Sequence, residues 1–254
     1  MRVHELDEAV RSLLLWLTKE SGIDKGELVE CSTLTGTDLR LVRDDYALVR
    51  GPEVLVSCVV RGAVGQAFTA APRGFSGVIG EVLEADLSDP FMRGVFYATA
   101  SAIARLAGVV EGTQHCESLE AESCAEELAE WVRAEYGQGA RVLHIGYQPG
   151  HVEALATLLR DNLIVTDLKE DNVWGVKHGR LVYDGIYGRH YIALADLVLL
   201  TASALVNGTA WEIITDAALL GKDVAVYGVS GVGALSVLQK HVRLVKTRFC
   251  PYGK

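Results

Sequence analysis

Residues 193–229, ALADLVLLTASALVNGTAWEIITDAALLGKDVAVYGV, hold two near-continuous apolar runs, Leu197–Leu200 and Val224–Tyr227, separated by a polar loop and a helical stretch. An apolar run of four to seven residues without alternation is buried on both faces, as strands of a parallel sheet covered by helices on either side are. RVLHIGY (141–147) and NLIVTDL (162–168) repeat the pattern upstream, each closed by Gly, Asp or Ser/Thr residues, and helical patterns follow most of the runs. The alternation predicts a Rossmann-like, doubly wound α/β domain over 138–254. Ligands of such sheets sit in the crevice at the strands' carboxyl ends, so the loops after these four strands are where function is sought.

The first half reads differently. Val3, Leu6, Val10, Leu13, Leu14 and Leu17 recur three and four apart and predict an opening helix over 3–20. Short β-branched segments follow: ELVECSTL (27–34), DLRLVR (38–43), YALVRG (46–51), VLVSCVV (54–60) and AVGQAFTA (63–70), the last two flanking an Arg61-Gly62 hairpin turn. From Ser88 to Ala107 a helical stripe returns with Phe91, Val95, Phe96, Ala100, Ile103 and Leu106. Residues 1–110 thus read as an α+β domain, 111–137 as an acidic connecting segment with a helix, and 138–254 as the α/β domain.

Composition narrows the function classes. The 254 residues carry 24 basic and 33 acidic side chains, a net charge of −9, which argues against nucleic acid as a partner. Half the residues are hydrophobic and 22% are charged, so a sizeable core is expected and general disorder is excluded. No apolar stretch reaches the ~20 residues that span a bilayer, and MRVHELDEAVRSLLLWL mixes acids into what would be a signal segment. The reading is a cytoplasmic chain without a membrane partner. Five cysteines, Cys31, Cys58, Cys116, Cys124 and Cys250, in a protein with ample core do not suggest a disulfide scaffold; metal binding, catalysis or burial is expected to account for them. Scarce Asn and Gln beside abundant Glu, Arg and Val suit a thermophile.

Two constellations could carry chemistry. Residues 111–135, EGTQHCESLEAESCAEELAEWVRAE, hold eight Glu and one Arg, and within that acidic field lie His115, Cys116 and Cys124. Imidazole and thiolate are the donors that zinc, nickel, cobalt or iron prefer, with a fourth position left for another ligand, water or substrate. Ser123 and Glu126 fit a capping box that would set Cys124 at a helix N-terminus, where the dipole favours thiolate; a start at Ser118 would instead bury Cys124 beside Leu128 and Trp131. The second constellation is Thr201-Ala202-Ser203 and Asn207-Gly208-Thr209, with Thr209 and Glu212 as a capping box. A glycine-flanked helix start there would hold an anionic group, or Asn207 and Thr209 merely cap the helix.

Three further loops converge in a doubly wound sheet. Gly146-Tyr147-Gln148-Pro149-Gly150 follows the first strand but has too few glycines for a dinucleotide fingerprint, so NAD is not expected. Asp167 ends the second strand, where it would meet a ribose or simply cap the strand. Gly228-Val229-Ser230-Gly231 is a poor nucleophile elbow because Val232 replaces the last glycine, leaving Ser230 as a ligand contact. No GxxxxGK[ST] motif supports ATP binding. His144, His151 and His190 could serve as bases, but each lone His beside apolar neighbours reads first as a structural residue. Cys250, in Phe249-Cys250-Pro251-Tyr252, is a late metal ligand or packing, with packing favoured.

At Thr113-Gln114-His115-Cys116 with Cys124, and more specifically at Thr201 through Thr209 with flanks from Arg141 to Val229, the chain resembles a family of prokaryotic domains of unknown function labelled heavy-metal chelation proteins. The resemblance implies an N-terminal domain similar to the enolase N-terminal fold, a C-terminal Rossmann-like domain, and a site in the cleft between them. The sequence departs from the family pattern at Gly228-Val229-Ser230, where Pro is expected in the middle. Two functions stay open. One is a protein, enzyme or not, that holds a metal ion or metal chelate through His115, Cys116 and Cys124, with the Asn207–Thr209 helix start on an anionic part of the ligand. The other is an enzyme on a small anionic or nucleotide-like substrate, pterin-like or S-adenosylmethionine-like, with Gly146, Asp167, Ser203, Asn207 and Ser230 around one pocket and Cys116 and Cys124 structural and remote from it. A purely structural or partner-binding module is least favoured, and nothing in the residues fixes whether the chain forms a homo-oligomer.

Overall fold

The computed structural model of the protein describes residues 3–71, 73–241 and 246–247. Helix α1 (Val3–Glu20) leads into strand β1 (Leu28–Leu34), the short helix α2 (Ala47–Arg50), strands β2 (Val54–Val60), β3 (Ala63–Thr69) and β4 (Phe75–Val78), and helices α3 (Ile79–Glu84) and α4 (Pro90–Leu106). The four strands form an antiparallel sheet in the order β3-β2-β1-β4. Arg61 (φ 48°) and Gly62 (φ 82°) take the left-handed conformations that a primed hairpin turn requires, so the expected β2–β3 hairpin forms. Helix α4 lies close on β3 because Gly65 has no side chain; a Cβ there would collide with the Ala98 carbonyl.

Three expectations for this region need correction. Residues 38–43 form turns and 46–51 end in α2 rather than in strands. Asp38 accepts hydrogen bonds from the Thr35 N–H and hydroxyl, both at 2.7 Å, and this local turn outcompetes the weak β-pattern downstream. Strand β4 is too short to stand out in the sequence. Cys31 and Cys58 are joined by a disulfide, neither metal-bound nor merely buried. The β1–β2 register sets the two residues directly opposite each other, and register is not visible in cysteine spacing.

The second half continues with α5 (Glu120–Tyr136), β5 (Val142–Ile145), α6 (Pro149–Leu159), β6 (Leu163–Asp167), β7 (Val176–Lys177), β8 (Arg180–Asp184), α7 (Gly188–Leu194), β9 (Leu197–Thr201), α8 (Ser203–Val206), α9 (Ala210–Leu219), β10 (Asp223–Tyr227), α10 (Val232–His241) and β11 (Lys246–Thr247). Its strands run in the order β11-β10-β9-β5-β6-β8-β7, parallel except for β7. All four apolar runs are strands, while β7, β8 and β11 were not expected from the sequence. One face, with Val142, Val165, Leu199 and Ala225, packs on α5 and α6. The other, with Leu143, Val198, Leu200 and Val226, joins a core that also contains Ile192 of α7, Ile214 of α9, Phe96 and Ile103 of α4, and Val29, Val56 and Ala67 of the antiparallel sheet. The fold is therefore mixed α/β, an antiparallel and a mostly parallel sheet sharing one core. Among the described residues no helix is long and apolar enough to cross a membrane. Cys250 lies outside the described residues.

One buried charge fastens the two parts. Arg93, on α4, donates to Asp7 of α1 at 2.5 and 2.9 Å and to the carbonyls of Leu205 (2.8 Å) and Val206 (2.7 Å) at the end of α8. The Tyr97 hydroxyl donates to the same carboxylate at 2.7 Å. Removing one partner strands the other charge in a low-dielectric interior. Asp7→Leu is expected to lower the unfolding free energy by about 3–5 kcal/mol, measured by guanidinium titration; a loss below about 1 kcal/mol, the range of a surface pair, would show that the guanidinium is solvated instead.

Candidate functional site

From β5 the chain winds outward through β6 to β8, then returns to the other side of β5 as β9 and continues to β10. The winding reverses between β5 and β9, and a crevice opens at the carboxyl ends of these two strands because their following loops turn away to opposite faces. The two loops touch at the base. Gly146, at φ 88°, passes so close to Thr201 that a Cβ would lie 2.7 Å from its methyl carbon. The Tyr227 hydroxyl, from β10, lies 3.0 Å from the Ile145 carbonyl and 2.7 Å from that of Gly146, bracing the same edge. A cavity of about 890 Å³ occupies the crevice, and Leu41, Tyr46, Leu48 and Phe68 of the first half complete its wall.

Most residues singled out in the sequence line this cavity: His115, Cys116, Cys124, Gly146, Asp167, Thr201, Ser203, Asn207, Thr209 and Ser230. Gly150 and Gly208 are not among its lining residues. Gly150 is buried in the first turn of α6 against Tyr46, and Gly208, at φ 83°, makes the bend between α8 and α9.

Several local roles differ from expectation. Helix α5 starts at Glu120, so Cys124 lies in its second turn, half-buried, and not at its N-terminus. Glu120 closes that turn itself, its carboxylate accepting the Glu117 N–H at 3.0 Å, which leaves Ser123 no cap to make. The Thr209–Glu212 capping box is absent too: Thr209 makes no side-chain cap, and Asn207 Oδ1 instead accepts the Thr209 N–H (3.0 Å) and hydroxyl (2.7 Å). Asp167 is occupied by the Tyr147 N–H (2.8 Å), the Lys169 N–H (2.9 Å) and the Asn172 amide (3.1 Å), so it organises the loops after β5 and β6. Ser230 Oγ accepts the Phe68 N–H at 2.8 Å and ties the end of β10 to β3.

The donor set for a bare metal ion does not assemble. Among the described residues no three His, Cys, Asp or Glu side chains are arranged to hold an ion. His115 turns Nδ1 to the Cys116 carbonyl at 2.7 Å and gives its backbone N–H to Gln66 Oε1 at 2.7 Å. The cations among the described lining residues have acidic partners. Lys169 pairs with Glu53 at 3.1 Å across the two halves of the chain, and Arg189 pairs with Asp216 at 3.5 Å.

His144 and His151, which read in sequence as structural residues, form a pair under the cavity, with His144 Nε2 3.4 Å from His151 Nδ1 and the Tyr227 ring 4.8 Å from each imidazole. Burial drives the His144 pKa down to about 3, and burial, with the neighbouring His144 and His115, pushes that of His151 well below the ordinary value. Both imidazoles are neutral. His151 reaches the cavity, as does Thr166, whose fully buried hydroxyl finds no hydrogen-bond partner among the described residues. The sequence carried one signal for His151, its place three residues after Gln148 at the start of the helix following the first parallel strand. It carried none for Thr166, whose importance lies in what it lacks. His190 is exposed on α7 and is not among the lining residues.

Fold and cavity together define a mixed α/β protein with a ligand-sized crevice at the switch point of its parallel sheet. Residues 131–242 match the DUF364 family, described as "Putative heavy-metal chelation", and the resemblance expected from the sequence is borne out. Two crystal structures of proteins with unknown function from the same family are similar to the chain. That from Pyrococcus horikoshii aligns with TM-score 0.56 at 16% identity, covering 92% of this chain and 82% of its own. That from Desulfitobacterium hafniense aligns with TM-score 0.54 at 16% identity, covering 94% and 84%. At this identity the likeness speaks for the fold. No curated protein matches the sequence.

The histidine pair has a consequence for stability. Unfolded, each imidazole gains a proton near its usual pKa of 6.5; folded, both refuse it, so their contribution is complete above that value and is lost on acidification, for His144 as pH falls towards about 3. The loss is about 1.4 kcal/mol per pH unit for each imidazole. Between about pH 6 and pH 5, His144→Leu is expected to show a shallower fall in unfolding free energy than the wild type. Equal slopes in denaturant titrations would mean that the imidazoles are protonated in the folded protein.

Proposed function

We propose that the protein binds a metal-bearing small molecule, a chelate and not a bare ion, in the cavity at the β5/β9 switch point. Size carries the reading. About 890 Å³ is far more than one coordination shell needs and falls within the range of small-molecule sites, whereas the described side chains around it supply no three-donor set for an ion alone. The family description supports a metal-related ligand. His115, Cys116 and Cys124 then act as soft contacts in the wall rather than as a ligand set, and Thr201, Ser203, Asn207 and Thr209 supply hydrogen-bonding groups along one side. In this reading residues 1–110 and 138–254 are the two domains that face each other across the ligand, joined by 111–137.

Charge favours the chelate over the anionic, nucleotide-like substrate. Both fixed cations in the wall, Lys169 and Arg189, already have acidic partners, and Asp167 and Glu212 add negative charge. A multiply charged anion would meet a wall whose described cations are already paired and whose acids outnumber them, and would lose its hydration. A neutral or cationic complex meets no such penalty.

The test compares nickel(II) alone with nickel(II)–iminodiacetate. The chelate is expected to raise the melting temperature and bind with one-to-one stoichiometry, the ion alone to do neither, and Ser203→Trp, which fills the cavity, to abolish the effect. Tight uptake of the bare ion that disappears in a Cys116→Ser, Cys124→Ser double variant would refute the reading and restore the three-residue metal site.

A further inference from the structure

Resting on the chelate reading, we infer that the protein donates one ligand of its own to the bound metal, and that this ligand is His151 Nε2. The geometry isolates that atom. His151 stands at the start of α6, 6% exposed, its ring held between His144 and Tyr227. Its Nδ1 faces His144 Nε2, and the two nitrogens of an imidazole point widely apart, so Nε2 is directed away from the pair. Among the described residues Nε2 makes no hydrogen bond, and His151 belongs to the cavity wall.

One tautomer of the pair leaves that nitrogen free of a proton. Two neutral imidazoles hold one ring proton each. When His151 Nδ1–H donates to His144 Nε2, the His151 proton is used and Nε2 presents a lone pair; the His144 proton then sits on the other nitrogen of a fully buried ring that also hydrogen-bonds the Gly146 backbone. A metal-binding imidazole whose other nitrogen donates to a fixed neighbour is the usual arrangement, because that bond sets both tautomer and ring orientation.

One imidazole cannot hold an ion against water, and this agrees with the lack of a three-donor cluster. It can complete the coordination of a metal whose other positions are filled by an organic chelator that arrives with it. The competing soft donors are already engaged: His115, Cys116 and Cys124 each make further contacts. Thr166, buried with an unpartnered hydroxyl in the same wall, is placed to hydrogen-bond the chelator itself. The ligand class is thus a neutral or cationic metal complex with one exchangeable coordination position and a polar edge.

Copper(II)–iminodiacetate, which has such an open position, serves as the probe. Titrated into the wild-type protein, it is expected to bind once and to show electron paramagnetic resonance coupling to a single imidazole nitrogen. His151→Phe and His151→Gln should lose that coupling and bind about tenfold or more weakly, while His190→Gln keeps both. Gln retains hydrogen-bonding capacity in case Phe disturbs the fold, and circular dichroism verifies each variant. Bound copper without imidazole coupling in the wild type, or coupling that survives in both His151 variants, would overturn the inference. Uptake that Ser203→Trp abolishes but the His151 variants leave unchanged refutes the His151 assignment and keeps the cavity reading. Uptake indifferent to all of them, or no uptake, refutes both.

Discussion

A parallel sheet whose winding reverses cannot close over its own carboxyl edge. Where β5 and β9 lie side by side, the loop of one runs to α6 on one face and the loop of the other to α8 and α9 on the opposite face. The crevice between them follows from topology, and the remaining features act on it. Gly146 lets the two loops touch at the base, Tyr227 braces the edge, and the first half of the chain supplies the facing wall. Arg93 fixes the depth of that wall by tying α4 and α1 to the last carbonyls of α8, so the loop carrying Ser203 and Asn207 is anchored from behind by a buried charge.

The cations that line the cavity are paired, and acids outnumber them in its wall. Lys169 and Arg189 have acidic partners, and Asp167 is spent on backbone and amide donors. Beneath this surface the low dielectric holds His144 and His151 uncharged. Among the described residues the wall offers hydroxyls such as Ser203 and Thr166 and the neutral His151 ring, a different set from the thiolate cluster that the acidic segment first suggests. The motif His115-Cys116 with Cys124 does reach the cavity, but its backbone and side-chain bonds are directed at the chain itself.

Much of the architecture could be read from residues. The four apolar runs became the central parallel strands, the opening helix and α4 fell where the 3.6-residue period put them, and Arg61-Gly62 made its hairpin. The failures share a cause. DLRLVR and YALVRG lost to a turn held by Asp38, the expected caps at Ser123 and Thr209 lost to Glu120 and Asn207, and the Cys31–Cys58 bond required a strand register. Each is a competition between near-equal local bonds, or a pairing across sequence, and neither is visible in a single stretch of chain.

Periodicity and apolar content, properties of neighbouring residues, were enough to determine an α+β first half, a parallel α/β second half and the loops that line the cavity. Burial, pairing and vacancy are properties of surroundings, and they rest on tertiary structure alone. It decided that Asp167, Ser230 and Asn207 are already engaged, that His144 and His151 stand neutral against each other, and that Thr166 has no partner, because a side chain's free valence depends on what the rest of the chain brings beside it.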